Sequence, residues 1–234
     1  MTMPRLLPAI RAERLAAVVR RLPFLALALA VVLGASRPVV RAQVPAASDL
    51  AGRVQARYNT IRDFTAEFTQ RQTSPLLPKP VTERGSVKIK KPGRMHWTYA
   101  TGDRNQIVSD GTTIYAYFPQ DRYVSRSAMP AGDDASTALL FLAGRGNLTR
   151  DFTASLPADQ PAGEWRLTLR PRASQADFET LTLEVDRTSL TFRGLVVVDA
   201  QGGTSAFRFT NMRENRGLPD SDFVFSIPRG GEVR

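Results

Sequence analysis

Apolar and polar side chains alternate one for one over much of this chain. The run from Gly85 to Pro119, GSVKIKKPGRMHWTYATGDRNQIVSDGTTIYAYFP, shows it best. Val87, Ile89, Met95, Trp97 and Tyr99 fall on one parity, and Ser86, Lys88, Lys90, Arg94, His96 and Thr98 on the other. A period of two predicts short strands with one apolar and one wet face, separated here by turns. Lys91 shares the parity of Val87 and Ile89, which turns a cation toward the apolar side. A large aromatic inner face with one inward charge suggests something held in a cavity rather than chemistry done on it.

The same reading extends along the chain. Ser48 or Asp49 can cap a helix running to about Ile61, with Leu50, Val54, Ala56 or Arg57, Tyr58 and Ile61 on one stripe. Asp63–Gln70 switches to strand character, with Phe64, Ala66 and Phe68 on one face. Ser74–Pro80, SPLLPKP, reads as a proline-rich turn. Asp121–Ser127 is a further strand. Ala135–Gly144 has no period of two and reads as a short apolar helix carrying Leu139, Leu140, Phe141 and Leu142, either core or a lid over a cavity. Strands then follow at Glu164–Arg170, Thr180–Asp186, Leu190–Asp199, Thr204–Glu214 and Phe223–Ile227. Many antiparallel strands with a few helices predict a mainly β fold, a barrel or sharply curved sheet. No repeat or linker divides it, so a single domain over 43–234 is expected.

Charge changes the picture less than it first suggests. The net charge of +10 and a pI near 10.7 invite a nucleic-acid reading. The first 42 residues, however, hold seven arginines and one acidic residue, so the remainder carries 25 basic and 21 acidic residues, a net of +4. That is an ordinary solvated surface, and no nucleic-acid partner is expected. The basic start, the apolar run Leu22–Leu33 and the small residues after it read as a secretory signal over residues 1–42, with Val40-Arg41-Ala42 a cleavage site before Gln43. Cleavage after Ala35 or Ser36, export through the Arg20-Arg21 pair, and retention as an anchor remain alternatives. Twelve apolar residues fall short of the ~20 that span a bilayer core.

Composition also limits the chemistry. There is no cysteine, hence no disulfide, no thiol nucleophile and no site for N-terminal lipidation. The single histidine, His96, sits on the polar parity, which leaves a Ser-His-Asp triad without its base and Cys/His metal sites without ligands. No nucleophile elbow, phosphate loop or dinucleotide fingerprint occurs, and no cofactor, metal or enzymatic activity is expected. Trp97, Tyr99, Tyr115, Tyr117, Phe118, Phe141 and Trp165 can line an apolar pocket or fill the core.

At this point the residues resemble a known family. The opening helix followed by IRDFTAEFTQ (Ile61–Gln70), then GSVKIKKPGRMHWTY (Gly85–Tyr99), IVSDGTTIYAYFP (Ile107–Pro119) and the closing FVFSIPRGGEV (Phe223–Val233) are similar to LolA, the periplasmic lipoprotein carrier family. The resemblance covers about Ser48 to Val233. It implies an incomplete, unclosed antiparallel β-barrel with a helical lid, and a monomer whose apolar cavity takes lipoprotein acyl chains. It further implies loading by an inner-membrane ABC transporter complex and delivery to an outer-membrane receptor, LolB or an equivalent. The absence of cysteine fits the soluble carrier rather than the lipidated receptor. On this resemblance Val87, Ile89, Met95, Trp97, Tyr99, Tyr115 and Tyr117 line the cavity, and Leu139, Leu140, Phe141 and Leu142 form the lid. In the family an Arg before the Pro of the strand turn latches the lid to backbone carbonyls; here that position is Lys91, with fewer donors on a more flexible stem. Met95 likewise stands where an aromatic is expected. An envelope-lipid-binding sensor or regulatory module of the same fold is the alternative reading.

Overall fold

The computed structural model describes residues 44–76, 78–130, 141–173 and 178–233. Helix α1, Ala47–Asn59, buries Leu50, Val54 and Tyr58 of the predicted stripe and Ala51 beside them, while Ala56 is exposed and Arg57 half-buried. It starts slightly earlier than expected, after Ala46 and without a side-chain cap. Ser48 and Asp49 therefore lie in its first turn, where the Asp49 charge complements the helix dipole. No helix among the described residues is long and apolar enough to cross a membrane.

Twelve strands follow: β1 Asp63–Thr73, β2 Val81–Lys90, β3 Arg94–Tyr99, β4 Gln106–Asp110, β5 Thr113–Phe118, β6 Tyr123–Ala128, β7 Phe152–Ser155, β8 Glu164–Pro171, β9 Thr180–Asp186, β10 Phe192–Val198, β11 Thr204–Glu214 and β12 Glu232–Val233. A single-turn helix α2, Leu148–Asp151, precedes β7, and a 3₁₀ turn spans Asp220–Phe223. They form one sheet in the order β12-β6-β5-β4-β3-β2-β1-β11-β10-β9-β8-β7. Its two ends do not meet, so the barrel is unclosed as expected. The pairs are antiparallel except the short β12 beside β6, which is parallel.

Register sorts the side chains. Phe68 faces Gly85 and then Tyr99; Ala66 faces Val87, Trp97, Ile107 and Ala116; Phe64 faces Ile89, Met95, Ser109 and Ile114. Paired residues share a face, so these rows make the inner face. Leu167, Leu183, Leu195, Phe207 and Phe209 from the other half of the sheet join the same buried cluster, together with the α1 stripe.

The corner between α1 and β1 is tied to the end of β11. The buried Asp63 carboxylate accepts the backbone N–H groups of Arg216 at 2.7 Å and Gly217 at 3.1 Å, and its carbonyl accepts from Asn215 at 2.8 Å. Asp63→Ala strands those N–H groups and should lower unfolding free energy by about 2–3 kcal/mol in urea titration.

The expected strand Phe223–Ile227 is not formed. Pro219 and Pro228 bracket this stretch, and it crosses the outer face of β2–β5 instead of adding to the ladder. Phe223 is buried and Phe225 stacks on Tyr115 with ring centres 5.1 Å apart. Lys88 pairs with Asp222 at 3.1 Å, Lys90 with Asp220 at 2.6 Å, and the His96 ring nitrogen Nδ1 lies 2.8 Å from the Asp222 carbonyl. The outer face here is therefore covered rather than wet, which is why Val108 and Val124, on that parity, are buried.

Candidate functional site

The inner face is where the expected cavity residues converge. Val87, Ile89, Met95 and Trp97 are fully buried and Tyr99 is half-buried. Trp97 meets the Phe68 and Phe207 rings edge-on at 5.1 and 5.5 Å, and Tyr99 meets Phe68 at 5.1 Å. The Tyr99 hydroxyl donates to Gln70 Oε1 at 2.7 Å. The indole N–H of Trp97 is buried with no acceptor among the described residues.

Tyr115 and Tyr117 are a correction. Trp97 pairs with Ile107, and Ile107 with Ala116, so within β5 Ile114, Ala116 and Phe118 take the inner parity. Tyr115 and Tyr117 take the outer parity, beneath Phe225. The aromatic pair looked like wall because aromatics outrank Ile and Ala in size, but register decides the face. Phe64, Phe68, Phe207 and Phe209 complete the wall. Their alternation was visible in the sequence, and only the pairing of β1 with β11 brings them opposite Trp97.

At one end of this face, Tyr99, Ile107, Ala116 and Phe118 floor a cavity of about 370 Å³ that is bordered by Glu83 and Asp103. Burial, with the neighbouring Asp103 charge second, raises the Glu83 carboxyl above the usual range. The other end is the Lys91 corner, beside a recess of about 530 Å³ lined by Asn59, Ile61, Arg62 and Pro92 among others.

At that corner the Lys91 ammonium donates to the backbone carbonyl of Tyr58 and sits 3.3 Å from the centre of its ring. A helix C-terminus leaves carbonyls exposed and carries partial negative charge, so a cation is well placed there. The Tyr58 hydroxyl, fully buried, donates in turn to the Leu142 carbonyl, with the Phe141 carbonyl at 3.5 Å. Gly93, two residues after Lys91, donates its N–H to the Ala143 carbonyl at 2.8 Å. Phe141, Leu142 and Ala143 are buried, and Phe141 stacks on Tyr58 at 5.5 Å. Leu139 and Leu140 lie outside the described residues. Tyr58 was read from the sequence only as part of a buried stripe; nothing in the 3–4 spacing marks a hydroxyl that reaches across to residue 142.

Gly144 completes the seat. Its φ is +85°, and an added Cβ would lie 2.7 Å from Lys91 Cγ and Cδ. Gly144→Ala should therefore lift the 141–144 segment at a cost of about 1–2 kcal/mol, read as faster amide exchange at Gly93.

Burial lowers the Lys91 ammonium to about 8; nearby Arg57 pushes the same way, and Glu214 opposes them. The folded state thus binds this proton less readily than the unfolded chain does. Stability attributable to Lys91 rises with pH between about 8 and 10.5 and is flat below 8. Above pH 10 the trend reverses, because burial raises the Tyr99 hydroxyl to about 12 and holds Tyr58 higher still. Thermal melts across pH 7–11 should show the rise, and Lys91→Met should flatten it.

Among the described residues no three His, Asp or Glu side chains gather as a metal site. The arrangement has the parts of a binding device: an aromatic wall and a segment pinned over one end.

Known proteins place this architecture. Residues 59–226 match the profile of the family described as outer membrane lipoprotein carrier protein LolA, and the chain belongs to that family, one of carriers rather than catalysts. It is 28% identical over 203 residues to an outer-membrane lipoprotein carrier protein of Cupriavidus pinatubonensis, covering 85% of this chain and 94% of that one. To the protein of the same name from Chromohalobacter salexigens it is 27% identical over 183 residues, 78% of this chain and 85% of that one. Among solved structures, an uncharacterized conserved protein from Thermus thermophilus shares the fold, with a TM-score of 0.50 at 12% identity over 79% of this chain and 98% of that one.

Proposed function

We propose that this protein is a periplasmic carrier, exported by removal of residues 1–42. It takes lipoproteins from an inner-membrane ABC transporter complex, shields their acyl chains on its inner face, and delivers them as a monomer to an outer-membrane receptor, LolB or an equivalent. The observation that carries the reading is the pairing of a fully buried aliphatic and aromatic wall, Val87, Ile89, Met95 and Trp97, with a covering segment, Phe141–Ala143, pinned by two hydrogen bonds to Tyr58 and Gly93. Such a face is sealed when empty, and a few contacts separate it from acyl chains.

Energetics favour the same use. Each CH₂ removed from water contributes about 0.8 kcal/mol, so full burial of several chains would hold cargo too tightly for handover. Re-closure of the 141–144 segment opposes that affinity and lets a receptor compete. The unpaired Trp97 N–H is a donor that an ester carbonyl of a diacylated cargo can satisfy on entry.

A release assay tests the assignment. Purified mature protein should extract newly made lipoproteins from inner-membrane vesicles into the soluble fraction. If they stay on the membrane while an established carrier removes them, the assignment fails. In the same assay Lys91→Leu should change cargo retention; unchanged loading and transfer would remove Lys91 from the mechanism.

A further inference from the structure

We propose that the latch of the covering segment is the hydroxyl of Tyr58, and that Lys91 acts through Tyr58 as its positioning residue. The inference rests on the carrier reading for its purpose but not for its geometry. Among the described residues the Lys91 ammonium makes its hydrogen bond to Tyr58 and none to residues 141–144; what it offers that segment is its aliphatic stem, packed against Gly144. The Phe141 carbonyl already accepts the Gly144 N–H at 2.9 Å, but the Leu142 carbonyl needs a donor from elsewhere, because buried carbonyls are seldom left unpaired. Tyr58 supplies it from the last turn of α1.

Three contacts fix the direction of that hydroxyl. The Tyr58 ring stacks on Phe141 and packs on Phe192 at 4.9 Å, and its face carries the Lys91 ammonium. A phenol ring has only two side-chain torsions, so clamping the ring on two sides and bonding the carbonyl of the same residue leaves the hydroxyl one place to go. The cation itself is poorly solvated in this position, which suits a positioning group better than a holding one. Neutral Tyr58, whose ionisation burial suppresses, keeps its donor throughout the pH range of the fold. Arg57 is the other nearby cation, and its pairing with Glu214 keeps it from competing for the Tyr58 carbonyl.

The division of labour predicts different behaviour for the two residues. Tyr58→Phe removes one oxygen and keeps the stacking. In the cargo-free protein it should accelerate hydrogen exchange about ten-fold at the Gly93 and Gly144 amides, whose acceptors are the Ala143 and Phe141 carbonyls. Strand amides such as that of Val87 should be unaffected. Lys91→Met should accelerate the same amides by less, and Lys91→Met combined with Tyr58→Phe should add little to Tyr58→Phe alone, because both act through one hydroxyl. Unchanged exchange at Gly93 in Tyr58→Phe overturns the latch, as does acceleration spread evenly over the strands, which would mark a loss of global stability. Additive effects of the two substitutions would overturn the positioning role. Wild-type protein that extracts no lipoprotein, alongside selective acceleration in Tyr58→Phe, would defeat the carrier reading and leave the latch standing.

Discussion

Trp97→Ala should lower the unfolding free energy by about 3–5 kcal/mol, the range for truncating a fully buried large aromatic. Trp97 has no exposed surface and touches Phe68, Phe207 and Phe209. These neighbours come from β1 and β11, so the loss falls where the two halves of the sheet meet, and local collapse cannot readily fill the space. Urea titration followed by fluorescence of Trp165, the second of the two tryptophans, measures it. A loss under about 1 kcal/mol would mean that the wall is loosely packed in the empty protein. The vacated volume is apolar, and such cavities stay dry and accept small apolar ligands. The variant should therefore recover part of its stability in the presence of benzene, and gain more from it than the wild type does.

Gly85→Ala carries the second large effect, about 2–3 kcal/mol at the upper end of overpacking costs. Gly85 lies opposite Phe68 on one side and Tyr99 on the other. A Cβ there would collide with the Thr98 carbonyl oxygen and come within 2.6 Å of Phe68 Cζ. The absence of a side chain lets the Phe68 ring lie over the strand and reach Trp97 and Tyr99 together. Adding Phe68→Ala should cost less in the Gly85→Ala background than in the wild type, because there removing the ring also relieves its collision with the new Cβ. Strict additivity would mean that the ring does not use the space over Gly85. A melting temperature unchanged in Gly85→Ala would mean that the strands part more easily than their register implies.

Much of this fold was legible in the sequence because a strand with one buried face writes its parity into the residue order. Thr180–Asp186 and Thr204–Glu214 appear with the expected bounds, and Val87, Ile89, Met95 and Trp97 lie on the face that their alternation assigns. What alternation cannot supply is the identity of the neighbour. Tyr115 and Tyr117 went to the wrong side because nothing within TIYAYF says which parity faces Trp97; the pairing of Ser109 with Ile114 does. Phe223–Ile227 alternates like a strand yet lies across one, since a segment resting on a sheet also buries every second residue. β7 and the short α2 were missed for the opposite reason: FTAS over four residues carries too little pattern to register. At the candidate site the sequence singled out Lys91 through its parity and its place before Pro92. It could not show that the ammonium stops at Tyr58, because the path from Lys91 to residues 141–144 runs through a helix that is 33 positions away in the chain.

The strip from Leu218 to Phe225 has a mechanical consequence. It is riveted to the back of β2–β5 by the Lys88, Lys90 and His96 contacts and by the burial of Phe223, so that wing behaves as a stiffened plate and resists splaying. Stiffness on one side decides which side yields. On the carrier reading proposed above, room on the inner face is then made by displacing the few residues from Phe141 to Gly144 rather than by bending a sheet of twelve strands, and the work of opening is confined to a piece small enough for a bound molecule to push aside.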